Sequence, residues 1–406
     1  MIKVKLSEIC DLQNGYAFKS SDYVENSNTL SCRMSNIRLG GIFDIEYNPR
    51  FLPDSFADQY KGFLLKDGDL VIAMTDLAND PKLLGVPTLV QTDGRNILLN
   101  QRVGKLIIKD SSKVDNKYLQ HVLNDPKTRE YYRKFASGGL QINLGKTDLL
   151  NVEIPLPPLA EQRRIASILD QADELRQKRQ QAIEKLDQLL QATFIDMFGD
   201  PVSNPKGWDK LTIEKMLNNE KYSLKRGPFG GALKKEIFVE SGYLVYEQYH
   251  ALNNDFSFQR YFIDEDKYKE LKAFDVKPKD IIVSCSGVNL GKLAEVPEGS
   301  PAGIINQALL KISLNQSIVL NDIFIDIFMH PSFKKAFYGD FRGAAIPNFP
   351  PMSVFKEFEF IVPPLEIQKK YQSVKSQVKA LQKNHQLADE MNLFSSLQNQ
   401  AFNGTL

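Results

Sequence analysis

The chain has only three cysteines, Cys10, Cys32 and Cys285, and four histidines, His121, His250, His330 and His385. An odd, widely spaced cysteine set suits reduced core thiols and neither a disulfide framework nor a zinc site. The histidines are scattered, with no second histidine or cysteine at i+3 or i+4, so no metal centre is expected. No apolar run reaches the ~18 to 20 residues of a membrane span, and the start MIKVKLSEIC is no signal peptide, which points to the cytoplasm. Charge of one sign is missing as well: 51 basic residues meet 50 acidic ones, for a net charge of +1. A polyanion could then be held only by local faces, not by the chain as a whole. What is present, 42% hydrophobic and 25% charged residues over 406 positions, gives a globular chain room for two or three cores.

The chain repeats itself once. Pro157-Pro158-Leu159-Ala160-Glu161-Gln162-Arg163-Arg164 returns as Pro363-Pro364-Leu365-Glu366-Ile367-Gln368-Lys369-Lys370, and each copy opens a long heptad-like stretch. Leu65 to Ile72 matches Val276 to Val283, and Ile97-Leu98-Leu99-Asn100-Gln101 matches Gly303-Ile304-Ile305-Asn306-Gln307. Gly138-Gly139-Leu140-Gln141-Ile142-Asn143 matches Gly343-Ala344-Ala345-Ile346-Pro347-Asn348. A period near 200 residues is too long for a solenoid and indicates two homologous domains. The order is globule, helix, globule, helix: 1–156, 157–200, 201–362 and 363–406. Short strands such as Gly68 to Met74 and Lys279 to Cys285, mixed with helices near 116–132 and 321–338, make each globule α+β.

The first helix is predicted to run from Leu159 to Phe198, free of glycine and proline, and to stop at Gly199-Asp200-Pro201. At 1.5 Å per residue its length is about 60 Å. Its narrow seam, Ile165, Ile168, Ala172, Leu175, Ala182, Leu186 and Leu189, calls for a partner helix. The second stretch supplies one: Ile367, Tyr371, Val374, Val378, Leu381, His385, Ala388, Met391, Phe394 and Leu397. Paired within one chain, the helices would run antiparallel with a globule at each end; pairing between two copies is the alternative.

Local basic runs are present. Lys221, Lys225, Arg226, Lys234 and Lys235 fall in one acid-free segment, and Arg95, Arg102, Lys105 and Lys109 in another. Lys127, Arg129, Arg133, Lys134 and Lys146 are opposed only by Glu130 around the glycines at 138 and 139. Catalytic patterns are poor by contrast. Gly287 to Lys292 is one residue short of a P-loop, and Leu293 stands where Ser or Thr would hold magnesium. Asn348-Phe349-Pro350-Pro351 has the wrong order for an amino-methyltransferase motif, and Glu265-Asp266-Lys267 lacks an upstream nuclease half. No serine, cysteine or histidine arrangement suggests a triad, so the chain is expected to perform no chemistry itself.

The paired Pro-Pro-Leu segments, Glu161-Gln162-Arg163-Arg164-Ile165, the long helix and the Phe198-Gly199-Asp200-Pro201 stop, repeated once, resemble the specificity subunit of a type I restriction-modification enzyme. The resemblance covers the whole chain and is most specific at 155–201. It implies two target recognition domains, each reading one half of a split double-stranded DNA sequence, separated by antiparallel coiled-coil helices. It also implies modification (methyltransferase) subunits, two of them, and restriction subunits as partners. S-adenosylmethionine, ATP and magnesium would act in those partner chains, with no cofactor here.

Reading a groove needs polar side chains on loops. The candidates in the first domain are Lys19, Arg33, Asn36, Arg102, Gln141, Asn143 and Lys146; in the second they are Lys225, Arg226, Gln248, Ser286, Asn289, Arg342 and Asn348. Asn100-Gln101 and Asn306-Gln307 are assigned to the framework instead, because they recur whereas half-sites should differ. Gln162, Arg163, Arg164, Gln368 and Lys369 are the candidates for docking modification subunits. Two other readings compete: a protein- or glycan-binding scaffold with two modules on a coiled coil, and a nuclease using Glu265 and Lys267.

Overall fold

The computed structural model describes residues 2–78, 81–135, 140–287, 289–339, 349–385 and 389–406. It divides into two compact units, Met1–Gln180 with Leu387–Leu406, and Gln181–Gln386.

In the first unit a four-stranded antiparallel sheet runs in the order Cys10–Asn14, Val103–Ile108, Leu70–Ala73, Pro87–Leu89. A second sheet sets Thr29–Cys32 between Asn96–Leu99, to which it is parallel, and Phe51–Leu52, to which it is antiparallel. All four residues of Thr29–Cys32 are buried, as expected of a central strand. Lys3–Lys5 closes on Glu153–Pro155, so the start of the unit is pinned beside the entry to the long helix. Helices Asn116–Leu123 and Pro126–Lys134 cover the core; Asp115 caps the first by accepting the Tyr118 N–H at 3.0 Å, and Pro126 opens the second.

The second unit repeats this plan. Its four-stranded antiparallel sheet is Leu224–Arg226, Leu309–Ile312, Ile281–Ser284, Leu293–Glu295. Tyr243–Tyr246 lies parallel to Gly303–Ile305, Lys210–Thr212 closes on Glu359–Ile361, and helices Asn321–Met329 and Pro331–Tyr338 follow. Equivalent turns are closed by equivalent atoms: Asp69 accepts the Lys66 N–H and Asp280 the Lys277 N–H, both at 2.8 Å. Asn116 donates to the Gly68 carbonyl at 3.0 Å, and Asn321 to that of Lys279 at 2.8 Å.

The helix Leu159–Phe198 has the predicted bounds. Gly199 ends it with φ +76°, and a Cβ there would meet the Pro205 ring at 2.6 Å, so both backbone and space require glycine. Burial does not follow the predicted seam throughout. Ile165, Ala166 and Leu169 enter the core of the first unit, and Phe194 and Phe198 that of the second. Leu175 and Leu189 are instead 59% and 50% exposed. The ends of the helix are held by globular cores, and along the stripe between them Ala172, Ala182 and Leu186 are half-buried.

The second stretch forms two helices, Leu365–His385 and Asp389–Asn403; residue 388 of its seam lies outside the described residues, as do the side chains of His385 and Met391. Tyr371 and Val378 are buried but Leu381 is 50% exposed. Within the second unit the pairing is antiparallel: Phe194 and Phe198 meet Tyr371 at ring distances of 5.8 and 5.2 Å, and Gln382 donates to Asp187 at 2.7 Å. Within the first unit Arg164 donates to the Leu406 carbonyl at 2.8 Å and Arg176 lies 5.9 Å from the Phe394 ring, again antiparallel. Ala401 is fully buried in the first unit's core, and Phe402 meets Tyr118 edge-on at 6.1 Å. The C-terminal segment therefore completes the unit with which the chain begins.

Candidate nucleic-acid interface

In both units the parallel strand pair ends at the same hydrogen-bonded corner. Cys32 pairs with Leu99, and its carbonyl accepts the Asn100 N–H at 3.2 Å; Tyr246 pairs with Ile305, and its carbonyl accepts the Asn306 N–H at 2.9 Å. The Asn100 side chain then accepts the Arg102 N–H at 3.2 Å, and Asn306 that of Ala308 at 3.0 Å. Gly15 and Gly227 lie against these corners so closely that a Cβ would come within 2.2 Å of the Asn100 carbonyl oxygen or 1.8 Å of that of Asn306. The two asparagines hold backbone, as their recurrence suggested.

Three candidates prove to be structural. Asn36 is 1% exposed; it accepts the Arg33 N–H at 2.8 Å and donates to the Asp44 and Tyr47 carbonyls at 3.1 and 3.2 Å, which leaves nothing to offer a base. Gln162 and Gln368, proposed for partner docking, are fully buried. Gln162 accepts the Asp115 N–H at 2.9 Å and donates to the Lys113 and Pro157 carbonyls, both at 2.8 Å. Gln368 accepts the Leu320 N–H at 2.8 Å and donates to the Ile318 and Pro363 carbonyls at 3.0 and 2.7 Å. Each glutamine ties the start of a long helix to the start of a short one, consuming polar backbone groups that burial would otherwise leave unpaired. Arg164 is also engaged, by Glu161 and the Leu406 carbonyl, while Arg163 and Lys369 are exposed at equivalent positions.

Other candidates are accessible. Arg33 and Arg102 come together with Arg50, missed in the sequence because only folding brings it near, around a cavity of about 280 Å³. Lys19 is exposed beside it in sequence, after Phe18 on its wall. Gln141 and Asn143 are exposed on one face of a short strand whose Ile142 points inward, and Lys146 pairs with Asp11 at 2.7 Å. That contact holds the Asp11 carboxyl below its ordinary range. In the second unit Lys225 lies 5.2 Å from the Tyr222 ring and 5.1 Å from that of Phe274, next to Arg226 on the same strand. Gln248 and Ser286 are joined, the amide donating to the Ser286 carbonyl and to Ser284, both at 2.9 Å. Asn289 is half-buried; Arg342 and Asn348 lie outside the described residues.

The three thiols are buried, and burial pushes each up to about 12, so they are neutral packing groups. Glu265 pairs with Lys269 at 2.9 Å and Lys267 with Glu270 at 2.8 Å, so the suggested nuclease pair does not converge. Among the described residues no cluster of His, Cys, Asp or Glu could hold a metal ion, and no helix is long and apolar enough to cross a membrane.

Residues 1–185 match the family model for the type I restriction modification DNA specificity domain. The MjaVIII specificity subunit of Methanocaldococcus jannaschii is 35% identical over 189 residues, 45% of this chain and 42% of that protein. The MjaIX specificity subunit of the same organism is 26% identical over 68% of this chain and 64% of its own length. The chain thus spans about half of the first relative's length and under two thirds of the second's. A crystal structure of a type I restriction-modification system S subunit from M. genitalium superposes with a TM-score of 0.60 and 16% identity, covering 99% of this chain and 96% of that one. A chain from a structure of type I R-M complex assembly and conformational transition gives 0.54 and 17%, covering 100% and 98%. The fold is that of a two-domain S subunit. The first 185 residues are thus similar to the type I restriction modification DNA specificity domain, and the whole chain shares the S-subunit fold.

Proposed function

We infer that this chain is the sequence-specific DNA-binding subunit of a type I restriction-modification complex. The observation that carries the reading is a shared backbone frame, closed by the same hydrogen bonds in both units, on which the exposed polar and charged residues differ. Two copies of one reader with different reading residues suit a bipartite, asymmetric target. Each unit would read one half from a groove, and the helices would fix the unread gap. Arg163 and Lys369, exposed at equivalent turns of those helices, are the remaining candidates for docking modification subunits. Methylation and cleavage would reside in modification and restriction subunits with their S-adenosylmethionine, ATP and magnesium, in the cytoplasm, and this chain would be non-catalytic.

The test is strand-resolved mapping of methylated adenines in a host expressing this chain with its neighbouring modification gene, against the modification gene alone. A new split motif with a fixed gap is expected. An assembled complex that writes no new motif would favour the scaffold reading.

A further inference from the structure

The cavity at the first unit's corner has an unusual wall. Arg33, Arg50 and Arg102 line it together with Tyr23, Asn100 and Gln101, and no carboxylate does. Among the described residues none of the three arginines forms an ion pair, and the Arg33 Nη1 is buried without any hydrogen-bond partner. A buried guanidinium nitrogen without an acceptor is costly and uncommon in a folded chain. Arg33 lines the electropositive cavity and, among the described residues, its guanidinium has no acceptor, so it is prepared for one from outside.

The second unit identifies which acceptor. Arg33 follows Cys32 as Glu247 follows Tyr246, and the corner just described makes the two positions equivalent. The turn that carries them is closed identically: Asn36 accepts the Arg33 N–H at 2.8 Å, and His250 Nδ1 accepts the Glu247 N–H at 3.0 Å. Arg102 is likewise replaced by Ala308. The frame is kept while the side chain it presents changes from a planar cation to an anion. A phosphate contact gives no reason for that inversion, because both halves of a duplex carry the same backbone. A base contact does: a guanidinium matches guanine O6 and N7, whereas a carboxylate accepts from the cytosine amino group.

On the reading that the chain recognises DNA, we propose that this position selects a base in each half-site, Arg33 taking a guanine and Glu247 an amino-bearing base, cytosine. Arg102 and Arg50 flank Arg33 and supply the field that draws the acceptor edge into the cavity.

The test is methylation mapping with the assembled complex carrying Arg33→Ala, Arg33→Gln or Glu247→Gln. Folding is not at risk from loss of the orphan nitrogen, which has no bond to lose, and thermal unfolding of each complex checks this. Arg33→Ala should make one guanine of one half-site degenerate, with discrimination falling roughly tenfold to a hundredfold, while the other half and the gap stay fixed. Arg33→Gln should turn that preference toward adenine, and Glu247→Gln should relax one position of the other half-site. An unchanged motif written more weakly at every site, with a shallower dependence of affinity on salt, would mean that Arg33 holds a phosphate, and would overturn the assignment. If the wild-type complex writes no split motif, the functional reading itself fails, and that is seen before any variant is made.

Discussion

Gln162 and Gln368 make the same three hydrogen bonds in their two units, whereas Arg33 and Glu247 leave the same strand end with opposite charge. The difference lies in what each side chain is bonded to. The glutamines satisfy backbone groups, which every sequence has, so their chemistry is fixed wherever that corner is buried. Arg33 and Glu247 enter the turn through their own backbone N–H, and their side chains are free of the frame. A third class inverts instead of varying freely. In the first unit Lys117 and His121 on a short helix meet Asp170 on the long one, each at 2.7 Å. In the second, Asp322 and Asp326 on the short helix meet Lys375 at 3.1 and 2.7 Å. Like charges would meet if either helix sat on the wrong globule, so the inversion favours each helix's own partner.

The sharpest way to break the shared frame is at its glycines. Gly15→Ala and Gly227→Ala each drive a Cβ into a backbone carbonyl, which cannot swing aside as a side-chain tip can. Each should destabilise its own unit by about 4 kcal/mol, read by chemical denaturation with probes in each unit. Loss of stability confined to one glycine would show that the corners are not equivalent.

Next comes the inverted contact. Lys375 is 6% exposed between two carboxylates, so Lys375→Met leaves them facing each other and should cost about 3 kcal/mol. Lys117 is 61% exposed, and Lys117→Ala should cost less than about 1 kcal/mol. Equal effects would mean that burial does not distinguish the two contacts.

The buried glutamines should follow. Gln162→Ala and Gln368→Ala remove a small network at net values near 1 kcal/mol per bond, so about 2 to 3 kcal/mol each. The two losses should add in the double variant, since they share no partner. Strong non-additivity in equilibrium unfolding would show that the two corners are coupled.

Much of this was legible in sequence, and what was not has a physical cause. Periodicity and the Gly-Asp-Pro stop fixed the 40-residue helix at its observed bounds. Recurrence marked Asn100 and Asn306 as framework. Gln162 and Gln368 recur in the same way, but a polar residue on a polar helix face reads as exposed until its partners are known. Those partners lie 47 to 50 residues upstream, at Lys113, Asp115, Ile318 and Leu320. Arg50 carried no local signal, because the cavity it lines is assembled from four separate segments. The return of Ala401 and Phe402 to the first unit accords with the antiparallel pairing, but the heptad pattern does not say which core residues receive that end, Tyr118 among them.

The smallest effect separates the two versions of the inverted contact by pH. The hydrogen bond from His121, aided by Lys117, holds the Asp170 carboxyl down at about 2. A depressed carboxylate stabilises the folded state above its unfolded pKa near 3.8 and loses that contribution as pH falls through its folded value. Asp170 is 35% exposed, so screening reduces the contribution to about 1 kcal/mol or less. Asp170→Asn should therefore cost up to that amount at pH 7 and almost nothing near pH 2, flattening the first unit's pH dependence between about pH 4 and pH 2. In the second unit burial works to raise the Asp322 carboxyl, and Lys375 and Gln372 outweigh it to leave a net depression. Lys375→Met should accordingly reverse the sign there: with the ammonium gone, burial and the neighbouring Asp326 favour the protonated acid, and that variant should regain stability as pH is lowered toward 4. Acid titration of unfolding midpoints for the two variants checks both signs. A Lys375→Met unit that weakens on acidification as the wild type does would show that Lys375 is not what keeps Asp322 ionised.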